Sequence, residues 1–176
     1  MIDSIFKAML DDGIVDYGVI LQSWIGIPGI NIKLKSQEIV DFAMNKINDS
    51  LNESEEKLLI DLTSAYLLDD IEITRILTEL CNFAQVNINL SLRKWRLYLL
   101  KNILDNLEND SLYAFIRLGE FWIEWQSVLS DQIPHLYQGA NNSISQQDYY
   151  SRENMDRVID IHKEWIENEK KLLVTM

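Results

Sequence analysis

Apolar residues recur at helical spacing along almost the whole chain, and this periodicity constrains the fold more than any other feature of the sequence. The periodic segments are separated by residues that cap helices, such as Asp16, Ser36 and Asn52, and not by the two-residue glycine turns of β-hairpins. Only 2 prolines and 6 glycines interrupt the chain, so regular structure has few places to break. The pattern predicts an all-α fold, either an irregular multi-helix bundle or stacked antiparallel helix pairs, with about seven helices.

The capping residues also predict where the helices begin and end. One stretch differs: in GIPGINIKLK (26–35), Pro28 and Gly29 fit the centre of a type II turn, and the residues after them alternate between apolar and polar. Because one isolated strand cannot satisfy its own backbone, this stretch is predicted to be an extended connector.

At 176 residues the chain is predicted to form a single helical domain over 1–176. The predicted helices cover 4–10, 16–24, 36–47, 52–68, 70–84, 91–107, 110–128 and a terminal segment from 145, and the longest predicted loop is 130–145.

The segment GEFWIEWQSVL (119–129) surrounds a carboxylate with large aromatic side chains, an arrangement that suits either a ligand platform or a core. On a helix, Trp122 and Trp125 share one face, while Leu112, Ile116 and Ile123 share another. A helix that is apolar almost all round is normally central, with neighbours on several sides. We therefore predict that both tryptophans lie in the core and bind no ligand.

The formal net charge is −12, which disfavours nucleic acid and anionic lipid as partners because binding either one requires cations that displace counterions. The start of the chain carries Asp3 where a secretory signal would carry positive charge, and no apolar run approaches the roughly 18 residues of a membrane span. The single cysteine, Cys81, lies inside an apolar helical pattern and is predicted to be a buried, unreactive thiol. These features predict a cytoplasmic protein that binds neither membrane nor nucleic acid.

Residue patterns typical of catalysis are missing from the sequence. It contains no glycine-rich phosphate loop, no nucleophile elbow and no zinc-ligand spacing, and it has only 2 histidines. His135 falls in the predicted long loop, and His162 flanks the apolar stripe of the last helix, so we expect a loop residue and a helix-edge residue and not general bases. The sequence predicts a protein that is not an enzyme and that needs no cofactor or metal.

The strongest alternative is a magnesium site built from Glu53-x-x-Glu56 and Asp69-x-x-Glu72, because paired acidic motifs bind metal in all-α nucleotide pyrophosphatases. The two pairs flank one predicted helix, however, and its rise separates them by some 20 Å. That separation excludes one shared metal if the predicted helix boundaries are right. Negative charge at the first turn of a helix is also favoured by the helix dipole alone.

Acidic residues are concentrated in one region. Residues 36–80 contain eleven acidic and three basic residues, a net charge of −8 out of −12, whereas 81–126 is balanced. A solvated, solubilising surface would explain this region. The sharper hypothesis is that it docks on a basic protein surface, such as the nucleic-acid cleft of a nuclease, with a few aromatic anchors. The predicted partner-binding residues are Glu53, Glu55, Glu56, Asp61, Asp69, Asp70, Glu72, Glu79, Tyr149 and Tyr150.

Four segments, LDDGIVDYGVI, SQEIVDFAMNKI, RKWRLYLLKNIL and GEFWIEW, occur in this order between residues 5 and 130. Together they resemble an uncharacterised all-helical family of small acidic bacterial proteins that includes immunity proteins encoded beside polymorphic or contact-dependent toxins. The resemblance implies a cytoplasmic protein that neutralises a cognate toxin by binding it. It provides no catalytic residues to carry over.

Three functions follow, in order of preference. The first is an immunity-type inhibitor that occludes the active site of a basic toxin. The second is a structural or regulatory helical module that acts through homo-oligomerisation, and the third is a Mg²⁺-dependent phosphate hydrolase.

Overall fold

The computed structural model describes residues 2–49, 52–129 and 145–174. Within these ranges the chain forms nine α-helices, one short 3-10 helix and no strand, so the all-α prediction is confirmed. The helices are α1 (Ile2–Asp11), α2 (Tyr17–Ile25), α3 (Ser36–Ile47), α4 (Glu53–Leu62), the 3-10 helix (Ala65–Leu67), α5 (Asp70–Phe83), α6 (Ile88–Asp105), α7 (Ser111–Gln126), α8 (Gln146–Tyr149) and α9 (Arg152–Val174).

Contacts group the residues into two compact units, Met1–Trp95 and Arg96–Met176, and the division falls inside α6. The single domain over 1–176 stays a prediction. Most of the predicted loop over 130–145 lies outside the described residues.

Side-chain caps explain several of the helix starts in the first unit. Asp16 accepts a hydrogen bond from the Val19 N–H at 2.8 Å, and Asn52 accepts one from the Glu55 N–H at 2.8 Å. These bonds satisfy backbone donors that have no partner within the helix. Both caps were predicted from the sequence, and both are local interactions. The predicted cap at Ser36 is wrong, because Ser36 is the first residue of α3 and no side chain caps this helix.

The core of the first unit is built around α2, which is buried on every side from Tyr17 to Trp24. This helix packs on α5, while α3 packs on α4 and on the 3-10 helix. The indole N–H of Trp95 donates to the Val19 carbonyl at 2.9 Å, and the Trp95 ring stacks on Phe6 with centroids 6.4 Å apart. A fully buried tryptophan thus fills the interior and still satisfies its polar atom.

The stretch after α2 forms no helix and no strand, in agreement with the predicted connector. Gly29 has a φ of 71°, as a type II turn requires at its third position, and Ile27 and Ile30 form an isolated bridge. The Leu34 N–H donates to the Ser23 carbonyl at 3.2 Å, and the Leu34 side chain is 1% exposed, which fixes the connector against α2.

The predicted helix over 52–68 is wrong in its last turn. α4 ends at Leu62, the 3-10 helix follows, and Leu68 is extended with φ −93° and ψ 153°. The next residue, Asp69, caps α5 from an extended conformation, and the chain must reverse before it so that α5 can pack on α2. A continuous helix to Leu68 would leave no residues for that reversal.

In the second unit, α7 packs on α9 and buries both tryptophans of the GEFWIEW segment. Trp122 is 3% exposed and Trp125 is 1% exposed, which confirms the core prediction. The prediction that α7 is buried almost all round is wrong, because Leu112, Ile116 and Ile123 are 41–68% exposed. The described helices of this unit cover the face of α7 that carries the two tryptophans, and the face with Leu112, Ile116 and Ile123 is exposed.

Buried charge is also part of the second unit. The Arg96 guanidinium is 5.0 Å from the centroid of the Trp165 ring and 5.9 Å from that of Trp122. It also contacts the Glu169 carboxylate at 3.1 Å, and both charged residues are almost fully buried. Cation–π contacts and the ion pair together offset the cost of removing the charges from water.

Trp122→Ala should lower the free energy of unfolding by about 3–5 kcal/mol, because it removes a buried ring and its hydrogen bond. The matched control is Ile123→Ala, the next residue of the same helix, which is 68% exposed and should change the free energy of unfolding by less than about 0.5 kcal/mol. Denaturant unfolding of both variants measures the difference. Equal effects would show that the tryptophan is not a core residue.

Gly18→Ala should destabilise the protein by about 1–3 kcal/mol, although alanine favours a helix more than glycine does. An added Cβ would lie 2.8 Å from Cγ1 of Val86 and still closer to Oγ of Ser91, a fully buried residue. In a double-mutant cycle, the same substitution should cost less in a Ser91→Ala background. A Gly18→Ala protein more stable than wild type would contradict this close packing.

Candidate functional site

The acidic residues predicted to bind a partner lie on α4, on α5 and at the cap between them, all in the first unit. Three glutamates occupy the first turn of α4, and Asp70 and Glu72 occupy the first turn of α5. Asp69 caps α5 by accepting a hydrogen bond from the Glu72 N–H at 2.8 Å. Carboxylates at helix N-termini are stabilised by the helix dipole, so this part of the fold carries dense negative charge at low cost.

Several of these carboxylates are engaged within the protein. Arg75 contacts Glu72 at 2.7 Å and Glu79 at 2.5 Å, and Lys33 contacts Asp70 at 2.7 Å. The hydrogen bond from Arg75 lowers the pKa of Glu72. All these side chains are at least two-fifths exposed, so the ion pairs add little stability and can be exchanged for contacts with a partner.

Glu55 is half-buried and bonds to the core helix α2. It accepts a hydrogen bond from the Tyr17 hydroxyl at 2.7 Å. Burial and this bond raise the pKa of Tyr17, which keeps the hydroxyl protonated as a donor. Glu55 therefore connects α4 to α2 and contributes more to the fold than to the outer surface.

Glu53, Glu56 and Asp61 are exposed, and none of them forms an ion pair with any residue in the described ranges. Asp61 and Glu79 also line one open groove between α4 and α5, of about 600 Å³. Leu58 and the exposed ring of Phe83 contribute apolar surface to the same groove. The structure thus brings predicted residues of both helices together on one surface.

The 3-10 helix and the first turn of α5 expose three large apolar side chains, which we call the apolar ledge: Tyr66, Leu67 and Ile71. They are 67%, 74% and 80% exposed, respectively. The sequence prediction missed the ledge because Tyr66 fitted the stripe of a longer helix. The available signal was the run of four apolar residues over 65–68, since one helix face cannot bury four consecutive side chains.

Tyr149 and Tyr150, the predicted aromatic anchors, lie in the second unit and are half-buried. Their rings are 5.0 and 6.0 Å from that of Phe115 and 4.9 Å from each other. The three rings form an aromatic cluster in which the two tyrosines pack on Phe115 of α7. A role of the two tyrosines in partner binding stays a prediction.

His162 is fully buried, so its predicted position at a helix edge is wrong. Its Nε2 accepts a hydrogen bond from the Trp122 indole at 2.9 Å, and its Nδ1 lies 2.7 Å from the Val158 carbonyl, to which it donates in the neutral tautomer. Both ring nitrogens are therefore occupied. Burial lowers the pKa of His162, while the bond to Val158 acts in the opposite direction.

The other reactive group in the interior is the Cys81 thiol. Cys81 is 5% exposed, and burial raises its pKa to about 11. A thiol with this pKa is protonated at neutral pH and is a poor nucleophile. The position agrees with the predicted buried, unreactive cysteine.

Across residues 2–49, 52–129 and 145–174, no group of three or more histidine, cysteine, aspartate or glutamate side chains is arranged to hold a metal ion. In the same ranges, no helix combines the length and the hydrophobicity that a membrane crossing requires.

Stability should fall as the pH is lowered below about 6.5, the ordinary pKa of histidine, because the unfolded chain then binds a proton that buried His162 does not. The contribution of His162 to the free energy of unfolding is fully present above that pH. Below that pH it decreases by at most about 1.4 kcal/mol per pH unit. His162→Gln should reduce this slope between pH 6.5 and 5 in denaturant unfolding. Asp160→Asn, an exposed change on the same helix, should leave it unaltered. An unchanged slope in His162→Gln would contradict a buried neutral imidazole.

A family model described as an uncharacterised protein conserved in bacteria, DUF2247, matches residues 13–170. No curated protein and no solved structure matches the chain. This match confirms the resemblance to an uncharacterised bacterial family. The family's description states no activity. Because the match covers most of the 176 residues, the chain belongs to the bacterial family DUF2247.

Proposed function

We propose that the protein acts by binding another protein, as an immunity-type inhibitor that covers the basic active site of a cognate toxin. The carboxylates of 36–80 provide the contact surface, and the toxin is a basic protein such as a nuclease. The proposal keeps the cytoplasmic location expected from the sequence. The observation that supports it most directly is the exposure of Glu53, Glu56 and Asp61, which form no ion pair within the described residues.

The charge distribution suits this role for physical reasons. A nuclease cleft is electropositive because it binds phosphates, and a surface with eleven acidic and three basic residues over 36–80 attracts it at long range. Complementary fields raise the association rate and select against partners of the wrong charge. Because α4 and α5 are regular helices packed on neighbours, their carboxylates are already positioned before the partner arrives.

Homo-oligomerisation is the second candidate, and the exposed face of α7 with Leu112, Ile116 and Ile123 favours it. A mass in solution that rises with protein concentration would support it. The net charge of −12 opposes self-association, which is why this candidate comes second. The Mg²⁺-dependent hydrolase is third, and a rise in melting temperature on adding Mg²⁺ would support it.

The partner for the test is the protein that co-purifies stoichiometrically with the full chain from its native host. Its affinity should fall steeply as salt is raised, because exposed charges are screened. The triple variant Glu53→Gln, Glu56→Gln and Asp61→Asn should raise Kd by about tenfold, chiefly through slower association, and should reduce the salt dependence. Stopped-flow and calorimetric titrations at two salt concentrations measure both effects.

The matched control changes three exposed carboxylates of the second unit: Asp105→Asn, Glu120→Gln and Glu124→Gln. It alters the net charge by the same amount and should affect Kd much less. Binding that is independent of salt, or equal losses in the two triple variants, would refute contact through the acidic region.

A further inference from the structure

We propose that the apolar ledge, Tyr66, Leu67 and Ile71, is the anchor that inserts into an apolar pocket beside the basic surface of the protein partner. The inference rests on the proposed function and deepens it. The carboxylates account for encounter and selection of the partner, and the ledge adds the contact that sets the lifetime of the complex.

The exposure of the ledge is the first argument. Three large apolar side chains within six residues are 67–80% exposed, more than any other large apolar residue that the structure describes in this unit. Single exposed apolar residues are ordinary on protein surfaces, whereas contiguous groups mark interaction sites. Tyrosine is also among the residue types that contribute most to binding energy.

The ledge is rigid, which is the second argument. Ala65 is 1% exposed and the 3-10 helix packs on α3, so the backbone beneath the ledge is fixed to the core. The Leu67 N–H donates to the Ser64 carbonyl at 2.8 Å, and Asp69 fixes the start of α5. A surface that is ordered before binding loses little conformational entropy on binding.

The charge around the ledge identifies the class of partner. Asp69 and Asp70 are exposed and stand between Leu67 and Ile71 in the chain, and Glu72 follows directly. An apolar centre with a charged rim is the usual composition of a protein interface. The three residues next to the ledge are all acidic, and two of them form exposed ion pairs with Lys33 and Arg75 that a cationic partner can replace. The fitting partner is therefore a protein with an apolar pocket bordered by lysine or arginine.

A second copy of the chain does not fit this surface. A two-fold symmetric contact centred on the ledge would bring the carboxylates of Asp69 and Asp70 from both copies close together, and like charges in an interface are costly. The total charge of −12 adds to the repulsion. An anionic membrane is disfavoured for the same electrostatic reason.

The test uses the full chain and the purified partner that co-purifies from the native host. Leu67→Ala with Ile71→Ala, and separately Tyr66→Ala, should each raise Kd by about tenfold or more, mainly through faster dissociation. The dependence of log Kd on log salt should stay as in wild type, because no charge is changed. Melting temperatures should also stay unchanged, since the side chains are exposed.

Met44→Ala is the matched control, because Met44 is a large apolar residue of the same unit and is 57% exposed. It should bind like wild type. If the ledge variants also bind like wild type while the triple carboxylate variant is weakened, the anchor proposal is refuted and the proposed function survives. If no basic protein co-purifies, or binding is independent of salt, the proposed function fails and the anchor proposal fails with it.

Two further measurements address other occupants of the ledge. Analytical ultracentrifugation of the chain alone would overturn the proposal if it showed a dimer that Leu67→Ala and Ile71→Ala dissociate. Co-sedimentation with phosphatidylcholine vesicles containing phosphatidylglycerol would overturn it if wild type bound and the same variant did not. A monomeric protein that stays in the supernatant when the vesicles sediment supports a protein partner.

Discussion

Close packing of α2 against the start of α6 is the constraint on which the first unit depends. Gly18 allows the approach, and Ser91, which is fully buried there, donates to Asp16 at 2.9 Å. Asp16 also caps α2 and contacts Lys94, so one carboxylate connects the two helices and satisfies the helix start. Once α2 is enclosed in this way, α5 packs on another side of it, and the position of the acidic surface follows from that packing.

The second unit depends on a different principle, which is charge enclosed by aromatic rings. Arg96 lies against two tryptophans and contacts Glu169, while the same Trp122 donates to His162. Removing one partner would leave the other charge or polar atom without compensation in the interior, so these residues depend on one another. Their arrangement gives the unit a fixed geometry that apolar contacts alone specify less strictly.

Local physics explains which parts of the fold could be predicted from the sequence. The caps at Asp16, Asn52 and Asp110 act on N–H groups two or three residues away, and the burial of Trp122 follows from the composition of its helix. The end of α4 depends on where α5 packs, and that contact is not encoded in the local pattern.

The errors at His162 and at the ledge have the same origin. His162 is buried because Trp122, 40 residues away along the chain, meets it from α7. The ledge is exposed because only Ala65 of the 65–68 run faces the interior fully, and helical spacing could not select it. The acidic character of 36–80 was visible in the sequence. Tertiary contacts decide which carboxylates are bonded to other helices, as Glu55 is, and which are exposed without an ion pair, as Glu53 is.

The enclosed thiol of Cys81 has a practical consequence. It is the only cysteine of the 176 residues, and its raised pKa keeps it unreactive at neutral pH. A cysteine introduced on the surface of either unit would therefore be the one group that a maleimide modifies rapidly. A fluorophore or spin label attached there would report from a single chosen position, without first removing the native sulfur.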